Sequence, residues 1–208
     1  MQPKTLAIIA SVVLLAALIS LQFTLGSAVP KVNRSVYTSL GQVLAQETAG
    51  AIHDRGQIVV VVADAYDQFG TVLRDQWKAF SGELQNHAGI HLATPETRPP
   101  GQHVPLGEVI DRYPQAAAIV FFVDPPDAPE LEAAANRAAS PKLVVVGNPD
   151  LPAKNYYGKF MTSGLLAAVI IPRSFSDRSR AGKSQTQREW FDQYYLVYTP
   201  QTIDTLSE

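Results

Sequence analysis

Four short segments of this chain are apolar from end to end: residues 58–63 (IVVVVA), 118–123 (AIVFFV), 143–146 (LVVV) and 167–171 (AAVII). A strand with one face in water alternates apolar and polar residues. A strand covered by helices on both faces does not need to, so continuous β-branched runs predict an interior parallel sheet. Between the runs the period changes from two to 3.6. Leu73, Trp77, Phe80 and Leu84 form one helical stripe that Gly89 ends, and residues 90–93 follow as a short second strand. After a proline-rich loop over residues 94–104, Pro105 opens a helix carrying Leu106, Val109, Ile110 and Tyr113. Asp127 and Glu130 have the spacing of a capping box and start a helix over residues 128–139. Ser140 and Pro141 stop it. A helix over 156–163 ends at Gly164, a polar loop over 174–184 leads to a helix over 186–192, and residues 194–199 make a last strand.

Strand–helix alternation of this kind predicts an α/β fold, a doubly wound, mostly parallel Rossmann-like sheet. Right-handed crossovers leave few arrangements, and the order 2-1-3-4-5 with the last strand added at an edge is the one expected.

The amino-terminal thirty residues are of a different kind. Residues 5–30 carry no charge, and within 6–25 only Ser11, Ser20, Gln22 and Thr24 are not apolar. Twenty helical residues at ~1.5 Å each reach ~30 Å, the thickness of a bilayer's hydrocarbon core. Gly26, Ser27 and Ala28 offer a small-x-small cleavage pattern, but the run exceeds the ~7–15 apolar residues of a secretory signal. The expectation is therefore an uncleaved transmembrane anchor or signal over 1–30, inserted in a lipid bilayer through residues 6–25. Lys4 favours a cytoplasmic amino terminus, although Lys31 and Arg34 flank the other side. That gives a protein of the bacterial inner-membrane type, with its main domain extracytoplasmic. A helical connector over 31–56 follows, with Val36, Leu40, Val43, Leu44, Ala51 and Ile52 at helical spacing and Gly41 and Gly50 weakening it. It is expected to lie on the α/β lobe of residues 57–200 rather than to serve as a dimerising stalk, and residues 201–208 fray.

The chain's 208 residues suit one domain with appendages. Its net charge of -2 argues against a nucleic-acid partner. With no cysteine, disulfides, thiolate metal sites and thiol nucleophiles are excluded. The glycines form no GxGxxG and no GxSxG is present, so neither a dinucleotide loop nor a nucleophile elbow is signalled. Four histidines (His53, His87, His91, His103) show no zinc spacing, and Gly89 interrupts the helix that would align His87 with His91. No catalytic constellation and no cofactor is expected.

The stretch IVVVVADAYDQFGTVLRDQWKAFSGELQNHAGIHL over 58–92 has a strand, a polar turn ending in an aromatic, and a long amphipathic helix. AAAIVFFVDPPDAPELEAAANRAASPKLVVVGNPD over 116–150 repeats the strand, loop and helix before a proline and the next strand. Over residues 57–150 the chain resembles type I periplasmic binding proteins, the sugar-binding receptors of ABC transporters. Members of that family clamp ligand between two such lobes, and here one lobe is present, with 164–172 (GLLAAVIIP) supplying a fifth strand where a crossover to the second lobe would run. The second lobe could come from another chain, as in a homodimer, or the lobe could serve another purpose.

In open parallel sheets ligands bind beyond the carboxyl ends of the strands, at the switch in strand order. Asp64, Tyr66, Asp67, Gln68 and Phe69 follow the first strand, Asp124 and Asp127 the third, Asn148 and Asp150 the fourth, and Arg173 and Ser174 the fifth. The resemblance implies that the turn after the first strand meets sugar hydroxyls and stacks its aromatic on the ring. That nominates Asp64, Tyr66, Gln68 and Phe69, with Asp124 beside them. The same residue types also cap helices and form turns. Asp64 and Asp124 invite a Mg²⁺-binding receiver reading, which Arg173 opposes by standing where that chemistry needs lysine. The basic run of Arg173, Arg178, Arg180, Lys183 and Arg188 and the aromatic group of Trp190, Phe191, Tyr194, Tyr195 and Tyr198 are read as a solvated loop and as packing. Part of the aromatic group could stay exposed as a docking patch. The expected function is a membrane-anchored, extracytoplasmic, non-catalytic module binding a small polar ligand such as a sugar. The alternative is a structural or docking subunit of a membrane complex.

Overall fold

Alternate residues of the central strands enter two different cores. Val59, Val61, Ile119, Phe121, Leu143, Val145 and Val169 face one layer, while Ile58, Val60, Ala118, Val120, Val144 and Ile170 face the other. Both layers are closed, which is why the strands carry no polar side. The computed structural model describes residues 33–63, 69–98, 102–122, 125–151, 153–173 and 186–203. In chain order these form α1 (Arg34–Ala51), β1 (Gly56–Ala63), α2 (Phe69–Leu84), β2 (Ile90–Leu92), β3 (Glu96–Arg98), α3 (Leu106–Arg112) and β4 (Ala116–Phe121). Then come α4 (Ala128–Ala135), β5 (Lys142–Val146), α5 (Ala153–Thr162), β6 (Leu166–Pro172), α6 (Gln187–Tyr194) and β7 (Tyr195–Tyr198).

The sheet runs β2-β1-β4-β5-β6-β7, with β3 also on β1. All pairs are parallel except β6 with β7. This is the doubly wound order expected from the sequence, and its added edge strand is antiparallel. One layer holds α3, α4 and α5; the other holds α1, α2 and α6.

One strand was not foreseen. Residues 94–104 read as a loop, yet Glu96–Arg98 pairs with Val61–Ala63 of β1. β2 pairs with the first part of β1 and β3 with the last, and one extra residue separates the two registers. Pro95 lies in that break, where its missing N–H costs no ladder bond. The edge strand is thus a single interrupted strand. Glu96 fastens it to α3, its carboxylate accepting from Arg112 Nη1 at 2.6 Å and from Tyr113 Oη at 2.5 Å.

α1 is an integral wall of the second layer, burying Val36, Leu40, Val43, Leu44, Ala45 and Ala49. Its Gly41, expected only to weaken the helix, is a contact residue. A Cβ built there would lie 2.2 Å from the Gln76 carbonyl oxygen and 3.1 Å from Ala79 Cβ, so glycine lets α1 rest directly on the α2 backbone. The Arg34 guanidinium holds Asp75 in a two-pronged pair with both contacts at 2.5 Å. The helix expected over 128–139 stops at Ala135, but its cap forms as foreseen, with Glu130 N donating to Asp127 Oδ1 and Asp127 N to Glu130 Oε2. Among the described residues no helix is long and apolar enough to cross a membrane, and the segment 6–25 lies outside them.

Candidate functional site

The switch in strand order falls between β1 and β4, which are hydrogen-bonded neighbours with Val61 opposite Phe121. From β1 the chain crosses to β2 on one side, and from β4 it crosses to β5 on the other. The segments that leave β1 and β4 at their carboxyl ends therefore start from adjacent strands, the position where open α/β sheets bind ligands. Asp64, Tyr66, Gln68 and Asp124 belong to those segments and lie outside the described residues. Phe69 opens α2; its side chain is also outside them.

The frame beneath this edge is firmly built. Phe122, two residues before Asp124, is buried against Phe80 in an edge-to-face contact at 5.2 Å and against Trp77 at 6.3 Å. Beyond β5, Gly147 approaches its neighbours so closely that a Cβ would come within 2.9 Å of Val169 Cγ1 and 3.2 Å of Tyr157 Oη. Burial raises the Tyr157 phenol above its usual range, offset in part by the Asn148 backbone. That hydroxyl makes no well-formed hydrogen bond among the described residues.

Several polar residues placed here by the sequence serve the fold itself. Asp127 caps α4, and Asn148 Oδ1 accepts from Asp150 N at 2.9 Å in a local turn. Arg173 continues the end of β6 into the α6–β7 junction: its backbone N–H donates to Tyr194 O at 2.7 Å, and its Nε to Asp192 O at 2.8 Å and Tyr195 O at 3.2 Å. Most of the basic run, residues 174–185, lies outside the described residues. Of the aromatic group, Phe191, Tyr195 and Tyr198 are buried, while Trp190 and Tyr194 stack half-exposed with centroids 6.1 Å apart.

Glu96 and β3 are the parts of this edge that sequence reasoning missed. A polar triplet between prolines offers no apolar pattern, and only the β-branched Thr97 hints at a strand. Among the described residues no group of three or more His, Asp or Glu side chains could hold a metal ion. Two clefts, of about 390 and 480 Å³, lie away from the carboxyl edge, one at the amino ends of β5 and β6 and the other between α1 and α2.

No family model and no curated protein matches the chain by sequence. Its structure does have relatives. A solute-binding protein of an ABC transporter from Burkholderia graminis, in complex with D-arabinose, superposes with a TM-score of 0.55 at 13% identity, covering 82% of this chain and 62% of that one. The fold is that of the sugar ABC transporter solute-binding proteins. An arabinose binding protein from Geobacillus stearothermophilus gives 0.55 at 14% identity over 83% of this chain and 63% of its own. A sugar-binding protein of a sugar ABC transporter from Bacillus halodurans gives 0.56 at 13% identity over 82% and 64%. The chain spans less than two thirds of the length of these structures.

Proposed function

We propose that this protein is a membrane-anchored, extracytoplasmic binding module that recognises a small polar ligand, such as a sugar, without chemical turnover. The observation that carries the reading is the switch point between β1 and β4, in a fold shared with sugar-binding proteins. Asp64 and Asp124 would accept hydrogen bonds from ligand hydroxyls, Gln68 would donate and accept, and Tyr66 and Phe69 would supply faces for an aliphatic ring. Such a site suits a polyol: a few directed polar groups set orientation, and an aromatic contributes apolar contact. Residues 6–25 would hold the lobe at the membrane.

The test is calorimetric titration of the full chain in detergent with D-arabinose, D-galactose and D-tagatose. Saturable binding that Asp64→Ala and Asp124→Ala each weaken by about tenfold or more supports the reading. Heats that stay flat across a wide panel of sugars, nucleosides and amino acids at this edge would move the lobe to a docking role in a membrane complex. The anchor is tested separately: the wild-type chain should stay in the membrane pellet after alkaline extraction, and a variant with charged residues placed within 6–25 should not.

A further inference from the structure

The cleft of about 390 Å³ at the amino ends of β5 and β6 stands at the opposite edge of the sheet from the switch point. Its floor is apolar, made by the buried Leu166 and the half-buried Ala51 and Ala167. Its walls carry opposite charges, Glu47 from the last turns of α1 and Lys142 from the first residue of β5. The size falls within the ~300–1,000 Å³ usual for small-molecule sites, and with Gln46, His53, Thr199 and Gln201 beside the two charged residues the lining is more polar than apolar, which suits a charged ligand.

Glu47 is the unusual member. It is half-buried, and burial raises its carboxyl above the ordinary range, with the Arg188 charge acting in the opposite sense. Among the described residues no donor is hydrogen-bonded to it; the Arg188 charge acts on it from α6, where Arg188 gives its Nε to Asp192 at 3.0 Å. A desolvated carboxylate without a donor is costly, and a cation at that point relieves the cost. The end of α1 adds to the same field. The carbonyl end of a helix carries partial negative charge, and the last turn of α1 has no basic residue to offset it.

Lys142 provides the other pole. Its ammonium gives one N–H to Gly164 O at 2.6 Å, which fixes the side chain and leaves two donors of the three. No carboxylate among the described residues pairs with it.

We propose that this cleft is a separate binding site for a small zwitterion of amino-acid size, whose ammonium group lies against Glu47 and the carbonyl end of α1 and whose carboxylate lies against Lys142. Neither charge alone explains the arrangement. A simple cation makes no use of the exposed Lys142 ammonium, and a simple anion makes none of the half-buried Glu47 carboxylate. The site is independent of the sugar reading, because the two occupy opposite sheet edges.

The test is calorimetric titration of the full chain with glycine and L-alanine, alongside ethylamine and acetate, which carry one charge each. The expected result is saturable binding of the zwitterions, with ethylamine and acetate at least about tenfold weaker. Glu47→Gln and Lys142→Met should each lower zwitterion affinity by about tenfold or more, both retaining the wild-type circular dichroism spectrum. Asp64→Ala should leave it unchanged, which separates this site from the carboxyl edge. No binding of either zwitterion at ~50 mM, affinities beyond about the millimolar range, overturns the proposal. So does binding that survives both cleft substitutions.

Discussion

Replacing Gly41 with alanine should destabilise the protein, although alanine is the better helix former. The new Cβ would sit 2.2 Å from Gln76 O and 3.0 Å from the Gln76 carbonyl carbon, atoms of the α2 backbone that cannot swing aside. Relief requires α1 to withdraw by ~1 Å, and a gap of ~0.5–1 Å forfeits about a quarter to a half of each affected contact. Leu40, Val43, Leu44 and Ala45 would all lose contacts, since α1 buries them under the sheet. Overpacking of this kind costs about 1–3 kcal/mol, against a helix-propensity gain of about 1 kcal/mol. A built Cβ 2.2 Å from a backbone oxygen puts the cost in the upper half of that range, which leaves a net loss of about 1–2 kcal/mol and lowers the melting temperature by about 2–8 °C at this chain length. Gly50, in the same helix, has nothing within 4 Å of a built Cβ. There the same change keeps only the propensity gain, up to ~1 kcal/mol, and the melting temperature should rise by about 1–4 °C. Thermal melts by far-ultraviolet circular dichroism compare the two variants directly. A Gly41→Ala protein as stable as Gly50→Ala would refute the close approach of α1 to α2.

Three further outcomes follow from the same structure. Glu130→Ala should lose more stability than Asp127→Ala, for which about 0.5–2 kcal/mol is expected in urea melts, because Glu130 also accepts from Leu106 N at 2.9 Å and His103 Nε2 at 2.8 Å, tying α3 to α4. Asp75 is held below the usual carboxylate range by its hydrogen bonds from Arg34, despite the opposing effect of burial. Its contribution is therefore full above the unfolded-state pKa and fades as pH falls through the folded value, and Asp75→Asn should flatten the acid limb of stability against pH measured by urea melts. Glu47 runs the other way: its folded pKa is raised by burial, with Arg188 of α6 pulling it down and Lys142 and His53 sharing the cleft, so its ionisation costs stability as pH rises. Glu47→Gln should melt higher than wild type at neutral pH, and the gap should close below the unfolded-state pKa; a constant gap across that range would contradict the burial argument.

The sheet was legible because its strands are covered twice. Runs such as IVVVVA carry no polar alternation, and Val59 and Val60 do enter opposite cores. The cap at Asp127 was legible because Asp and Glu three residues apart satisfy each other locally, whatever lies around them. α1 was harder to place. Its buried Ser39 and Thr48 look like surface residues, yet their hydroxyls turn back onto Val36 O at 2.8 Å and Leu44 O at 2.6 Å, which lets a polar-looking face be buried. β3 escaped notice because its triplet is polar, and pairing with β1 rather than apolar packing makes it a strand. The carboxyl edge followed from topology alone, since strand order fixes where the switch falls. The amino-edge cleft could not be read in this way. Glu47 and Lys142 are far apart in sequence and meet only when α1 lies across the start of β5.

The most direct test of the functional account is the melting temperature of the full chain with D-arabinose, for the wild type and for Asp64→Ala. A ligand at ~100 times its dissociation constant stabilises by ~2.7 kcal/mol, an upward shift of about 5–11 °C at this length. The account predicts that a pentose or hexose of this class produces such a shift in the wild type and that Asp64→Ala abolishes it. A wild-type melting temperature unmoved by every sugar tested, or a shift that Asp64→Ala leaves intact, would contradict a sugar site at the β1–β4 switch point.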